Sequence, residues 1–108
     1  MIDIEIEQGS ANVYEDLGSP DAAELQVKAM LAAKIGEIIK HRHLTQVQAS
    51  EILGIPQPKL SAMLRGQFRG ISEAKMLECL NRLGRDIEIR VRKPSRSRAV
   101  GRTSVVFV

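Results

Sequence analysis

The sequence predicts a mainly α-helical fold, a small bundle of packed helices with a C-terminal β-strand or hairpin appended. Three observations lead there. Between residues 20 and 83 apolar side chains recur at three- and four-residue spacing, the period of helices that bury one face. Residues that start or stop helices punctuate that stretch at Ser19 and Pro20, Thr45, Gly54, Ser72 and Gly84. After Gly84 the period changes to two, with Ile87, Ile89 and Val91 alternating with Glu88, Arg90 and Arg92. Aromatic residues make up only 3% of the chain and Trp is absent, so the core must be built from Leu, Ile, Val, Met and Ala.

With 108 residues there is room for one domain and its arms. The expected division is an acidic N-terminal arm over 1–18, a helical domain over 19–84, and a C-terminal β-hairpin with a basic loop over 85–108. Cys79 is the single cysteine, which excludes an internal disulfide and a cysteine metal cluster. No run of about 18 apolar residues occurs, so no membrane-spanning helix is expected. The start lacks the basic and apolar regions of a signal peptide. These features predict a cytoplasmic protein.

The first residues, Ile2, Ile4 and Ile6, alternate with Asp3, Glu5 and Glu7, either a half-buried strand or a mobile acidic arm. The segment NVYEDLG could form one turn ending at Gly18, anchored by Tyr14 and Leu17. A long helix is expected from Pro20 to His41 or Arg42. Ser19 caps it, Asp21 and Glu24 complement its positive end, and Leu25, Ala29, Ala32, Ile35 and Ile39 form its apolar side, broadened by Leu31 and Ile38. His41 and His43 stand two apart and cannot share a helix face, so they read as helix-end or loop residues and not as metal ligands.

The most informative stretch is TQVQASEILGIPQPKLSAMLRG, residues 45–66. Thr45 and Gln48 have capping-box spacing, Ala49, Ile52 and Leu53 give an apolar face, and Gly54 suits a left-handed helix end. Pro56 holds Ile55 extended. A second short helix then starts near Pro56 or Gln57, because Pro58 is tolerated only in a first turn. Leu60, Met63 and Leu64 face inward, and Gln57, Lys59, Ser61, Ala62 and Arg65 are left largely outward. Two short helices joined in this way form a helix-turn-helix, whose second helix can enter a DNA major groove.

This stretch resembles the phage-repressor-like regulators of the XRE (Cro/C1) family. Gln46 matches the residue that opens the motif, Gly54 the turn glycine and Leu60 the apolar residue locking the second helix. Ser50 departs from the usual Ala at the close helix contact, but is small enough to fit. The segments NVYEDLGSPDAAEL, LTQVQASEILGIPQPKLSAMLRGQFRGIS and LGRDIEIRV are similar to the HigA-like branch of antitoxins and regulators, over roughly residues 12–93. The resemblance implies a phage-repressor-like helical bundle, DNA binding and, more distantly, a small ribonuclease toxin as partner.

Charge supports the same direction. Residues 1–24 carry seven acids and no Lys or Arg, whereas residues 25–108 carry all 16 Lys and Arg with the other six acids, a local charge of +10. Such a balance is either a solvated surface or a match for backbone phosphates, and the helix-turn-helix favours DNA. Gln57 is the first candidate base reader, since an amide can bond adenine N6 and N7 together. Lys59, Ser61 and Ala62 follow. Lys59 would meet guanine or phosphate, Ala62 a thymine methyl, and Pro58 offers apolar contact alone. Thr45 and Gln46 are phosphate candidates at a helix N-terminus, with capping as the alternative role for Thr45. Arg65 and Arg69 are further phosphate candidates. Arg96, Arg98 and Arg102 either extend that footprint or form a solvated connection.

Downstream, Phe68 is an expected anchor, and Ser72 caps a helix with Leu77, Leu80 and Leu83 facing the core. Cys79 lies beside that stripe as a packed thiol. Residues 86–93 and 102–108 are expected to pair as a hairpin and to supply a dimer element, because a lone two-stranded hairpin is marginal. A homodimer on a palindromic site follows from the few base pairs one recognition helix can read. No catalytic set, glycine-rich phosphate loop or metal-ligand spacing is present, so neither enzyme activity nor a cofactor is expected.

Overall fold

The computed structural model describes residues 4–5, 22–94 and 100–108. Among these residues four helices, α1 (Ala22–His41), α2 (Gln46–Leu53), α3 (Gln57–Leu64) and α4 (Glu73–Arg82), are accompanied by two short strands, β1 (Ile4–Glu5) and β2 (Val106–Phe107). The expected turn at Tyr14 and Leu17 and the start of the first helix at Ser19 to Asp21 lie outside the described residues.

α1 is the spine of the bundle, packing against α4 and α3, while α2 packs against α3 and α4. The buried residues of α1, among them Val27, Leu31, Ala32, Ile35, Ile38 and Ile39, cover a wide arc, because α3 and α4 both pack on it. The expected Leu25 and Ala29 sit at the edge of that core, half-buried, and Val27 takes a deeper place than either. Gly36, in the helix interior, is there for proximity: a Cβ on it would lie 3.3 Å from Leu64 Cδ2, so glycine lets α3 approach α1 closely. α1 ends in a tight turn in which His43 adopts a left-handed φ of 55°, tolerable for histidine. Leu44 then donates its amide to Ile39 O at 3.0 Å and the chain enters α2.

α4 begins at Ser72, whose side chain accepts from the Lys75 amide, and buries Met76, Cys79 and Leu80. Burial pushes the Cys79 thiol pKa up, which favours the packed, protonated form. Phe68 and Ile71, both buried, fix the loop between α3 and α4.

The C-terminal strand exists, but the expected hairpin partner does not serve it. β2 pairs antiparallel with β1, in the register Ile4 to Phe107 and Glu5 to Val106, and residues 85–94 carry no strand. The physical reason is where β2 docks. Val105 packs against the core, and Lys34 Nζ on α1 sits 4.9 Å from the centroid of the Phe107 ring, a cation–π contact that holds the last residues to the spine. Residues 86–93 leave the end of α4 with only Ile87 packed on the core. No described helix is long and apolar enough to cross a membrane.

Candidate nucleic-acid interface

The two motif helices are built by different means. At the start of α2 the full reciprocal cap is present: the Gln48 amide donates to Thr45 Oγ1 at 3.1 Å, and the Thr45 amide donates to Gln48 Oε1 at 2.9 Å. Capping is therefore an observed role of Thr45, and it occupies the Gln48 side chain as well. Gln46, the next residue, is exposed at the same helix end, where amides and dipole favour an anion. At the other end Gly54 takes φ 68°, and the Gly54 and Ile55 amides both donate to Ser50 O, at 2.9 and 3.2 Å. This left-handed turn reverses the chain and buries Ile55.

Ser50 fits its close contact for a specific reason. Its hydroxyl donates to Val47 O at 2.9 Å, so its half-burial leaves no polar group unpaired.

α3 has no side-chain cap. Pro56 stands at the N-cap and Pro58 lies in the first turn, where a missing amide costs no helical bond. Its anchorage is apolar: Leu60 is fully buried and Met63 nearly so, against Ala49 and Leu53 in the same core. Each such side chain contributes about 1.5–3 kcal/mol by burial. Leu64, at the margin, is half-buried over Gly36.

That anchorage decides what α3 presents outward. Gln57, Pro58 and Lys59 are all exposed in its first turn. Ser61 and Ala62 are half-buried and less open than their spacing suggested. Ser61 is also engaged, since Arg65 Nη1 donates to its Oγ at 2.8 Å, laying the guanidinium back along the helix. Arg65 closes α3 and Arg69 is exposed in the following loop. Arg102 is exposed, and Arg96 and Arg98 lie outside the described residues.

One residue that shapes this site was not singled out from the sequence. Arg82, in the last turn of α4, donates from Nη1 to Ile52 O at 3.3 Å, placing a cation against the carbonyl end of α2. A Cβ at Gly54 would lie 2.7 Å from the same nitrogen. The turn glycine thus makes room for the arginine as well as supplying the backbone angle. Behind it, Glu78 faces Lys75 at 2.8 Å and Arg82 at 3.5 Å. The Lys75 hydrogen bond and charge, followed by Arg82, hold the Glu78 carboxyl below its ordinary pKa. A positive residue in the last turn was the available signal for Arg82, but its partner lies 30 positions away.

Comparison with known proteins agrees with this geometry. Residues 13–92 match the family model of a helix-turn-helix domain. No curated protein sequence matches the chain. A solved structure named as an XRE-family transcriptional regulator is 43% identical, with a TM-score of 0.76, and the match covers 82% of this chain and 100% of that one. With its capped first helix, left-handed glycine turn and outward-facing second helix, the chain belongs to the XRE family of helix-turn-helix transcriptional regulators.

Proposed function

We propose that this regulator is a sequence-specific DNA-binding repressor that works as a homodimer in the cytoplasm, reading a palindromic operator with α3. The observation that carries the reading is the division of α3: Leu60 and Met63 are buried, while Gln57, Pro58 and Lys59 stand exposed in its first turn. A groove-reading helix needs this arrangement, with N-terminal side chains free and the opposite face fixed. Gln57 reads adenine through paired amide bonds, and Lys59 meets guanine or a phosphate. Pro58 and Ala62 give apolar contact. Ser61 acts on the same face while orienting Arg65. Thr45, Gln46, Arg65 and Arg69 hold phosphates and set the register without reading sequence.

The finer role we infer is that of an antitoxin-like repressor of its own operon, with a small ribonuclease toxin as second partner. The resemblance of residues 12–93 to HigA-like proteins supports it, and the seven acids of residues 1–24 would suit a basic toxin surface. The alternative is a stand-alone transcription factor. Recovery of no small basic protein with the tagged chain from its native host would leave the stand-alone role.

The DNA reading is tested by titrating the pure protein against DNA from upstream of its own gene at two salt concentrations, beside Gln57→Ala. The expected result is binding that weakens steeply with salt, and a loss of about 1–3 kcal/mol of base discrimination in the variant. Arg69→Ala should instead weaken binding to all sequences alike and lower the salt slope by about one. Equal, weak binding of wild type and Gln57→Ala to every DNA would overturn the reader.

A further inference from the structure

We propose that residues 86–92 form a self-complementary strand, pairing antiparallel with the same segment of a second copy about a two-fold axis through Ile89. The proposal rests on the homodimer in the reading above and specifies the surface that makes it. Ile89 is 77% exposed and Val91 96% exposed, and they continue an alternation whose first member, Ile87, packs on the core. Two large β-branched side chains held open in an alternating segment suit a strand that is completed by a partner. Within the chain the C-terminal run does not supply that partner, because β2 pairs with β1 and residues 85–94 carry no strand.

The sequence identifies the occupant as a second copy through its order of charges. Around Ile89 the residues are Asp86, Ile87, Glu88 on one side and Arg90, Val91, Arg92 on the other. Reversed and laid antiparallel about Ile89, Asp86 faces Arg92, Ile87 faces Val91 and Glu88 faces Arg90 of the partner copy. Every charged position meets its opposite and every apolar position meets an apolar one.

Other registers fail on the same residues. A shift by one position sets apolar side chains against charged ones. Moving the axis to residue 88 or 90 sets Glu88 against itself or Arg90 against itself, and parallel in-register pairing does both. Opposite charges directly across a strand pair stabilise it and like charges oppose it, so the pattern selects one register. Arg85 opposite Lys93 would end the ladder beyond those seven residues. Glu88 and Arg90 already contact one another within the chain, Arg90 Nε lying 3.0 Å from Glu88 Oε1. Their side chains are thus near the positions from which each would turn to the partner strand.

Charge reversal across two separately purified proteins tests this. Glu88→Arg leaves two arginines at positions 88 and 90, and Arg90→Glu leaves two glutamates. Neither variant retains the pair within its own chain. Sedimentation of each full-length protein alone, without DNA, should show dimerisation weakened about tenfold or more relative to wild type. An equimolar mixture should recover a dimer of wild-type affinity containing one copy of each. Each arginine then faces a glutamate across the axis while the contact within each chain stays broken. Far-ultraviolet circular dichroism checks that all the proteins keep their helices. Single variants that dimerise like wild type, or a mixture no tighter than its components, would overturn the register while leaving the DNA reading to its own titration. A wild-type protein that stays monomeric throughout would overturn both this pairing and the homodimer.

Discussion

The two helices of the motif have eight residues each and share one core, yet they are specified in opposite ways. α2 is closed at both ends by local chemistry, with the Thr45–Gln48 box at one and the Gly54 turn at the other. α3 has neither, and isolated in water eight residues would not hold a helix. It persists because Leu60 and Met63 are buried in a core shared with α1, α2 and α4. The difference has a functional consequence. A side chain used as a cap is committed to its own backbone, as Gln48 is, whereas a helix fixed from behind leaves its first turn open. α2 carries the caps, and α3, the proposed reading helix, leaves the side chains of its first turn exposed.

The contrast is broken most severely at the buried contact. Leu60→Ala should lower stability by about 2–5 kcal/mol, since a fully buried side chain leaves a cavity among rigid neighbours. Chemical denaturation should show the loss, together with loss of DNA binding at any temperature where the variant is largely unfolded. A cost below about 1 kcal/mol would mean that α3 is held by something other than its apolar face.

Next in size is the turn. Gly54→Ala puts a Cβ on a left-handed backbone, costing about 1–2 kcal/mol, and crowds Arg82 Nη1 at 2.7 Å. Because the obstacle is the tip of a flexible side chain, it can move, at the expense of its hydrogen bond to Ile52 O. Combining Gly54→Ala with Arg82→Ala should therefore cost less than the two changes added together. Strict additivity would show that the backbone angle alone requires glycine.

Much of this arrangement was legible in the residues because it is local. The capping box at Thr45, the left-handed Gly54, the Ser72 cap and the inward placement of Leu60 and Met63 all follow from spacings of a few residues. The features that escaped are those set by distant partners. Arg82 reaches Ile52 across 30 positions, and β2 finds β1 from the far end of the chain, where Phe107 meets Lys34 of α1 and Val105 packs on the core. Alternation in residues 86–93 marked a β-prone segment, but period alone does not name the strand beside it. The same limit applies to α3. Spacing separated inward from outward positions, but it could not show that Ser61 is half-buried and holds Arg65.

The smallest effects test the contrast most closely. Thr45→Ala removes the hydroxyl acceptor of the box and should cost about 1 kcal/mol of stability, read as a lower denaturation midpoint. Gln57→Ala, at the equivalent end of α3, removes a side chain with no capping bond and should change stability by less than about 0.5 kcal/mol. In operator binding the order should invert, because Gln57 is the proposed reader and Thr45 at most holds one phosphate. If Gln57→Ala instead destabilised the fold as much as Thr45→Ala, the first turn of α3 would be committed to structure as α2 is. The proposed division between a scaffold helix and a reading helix would then fail at Gln57, the residue proposed to read bases.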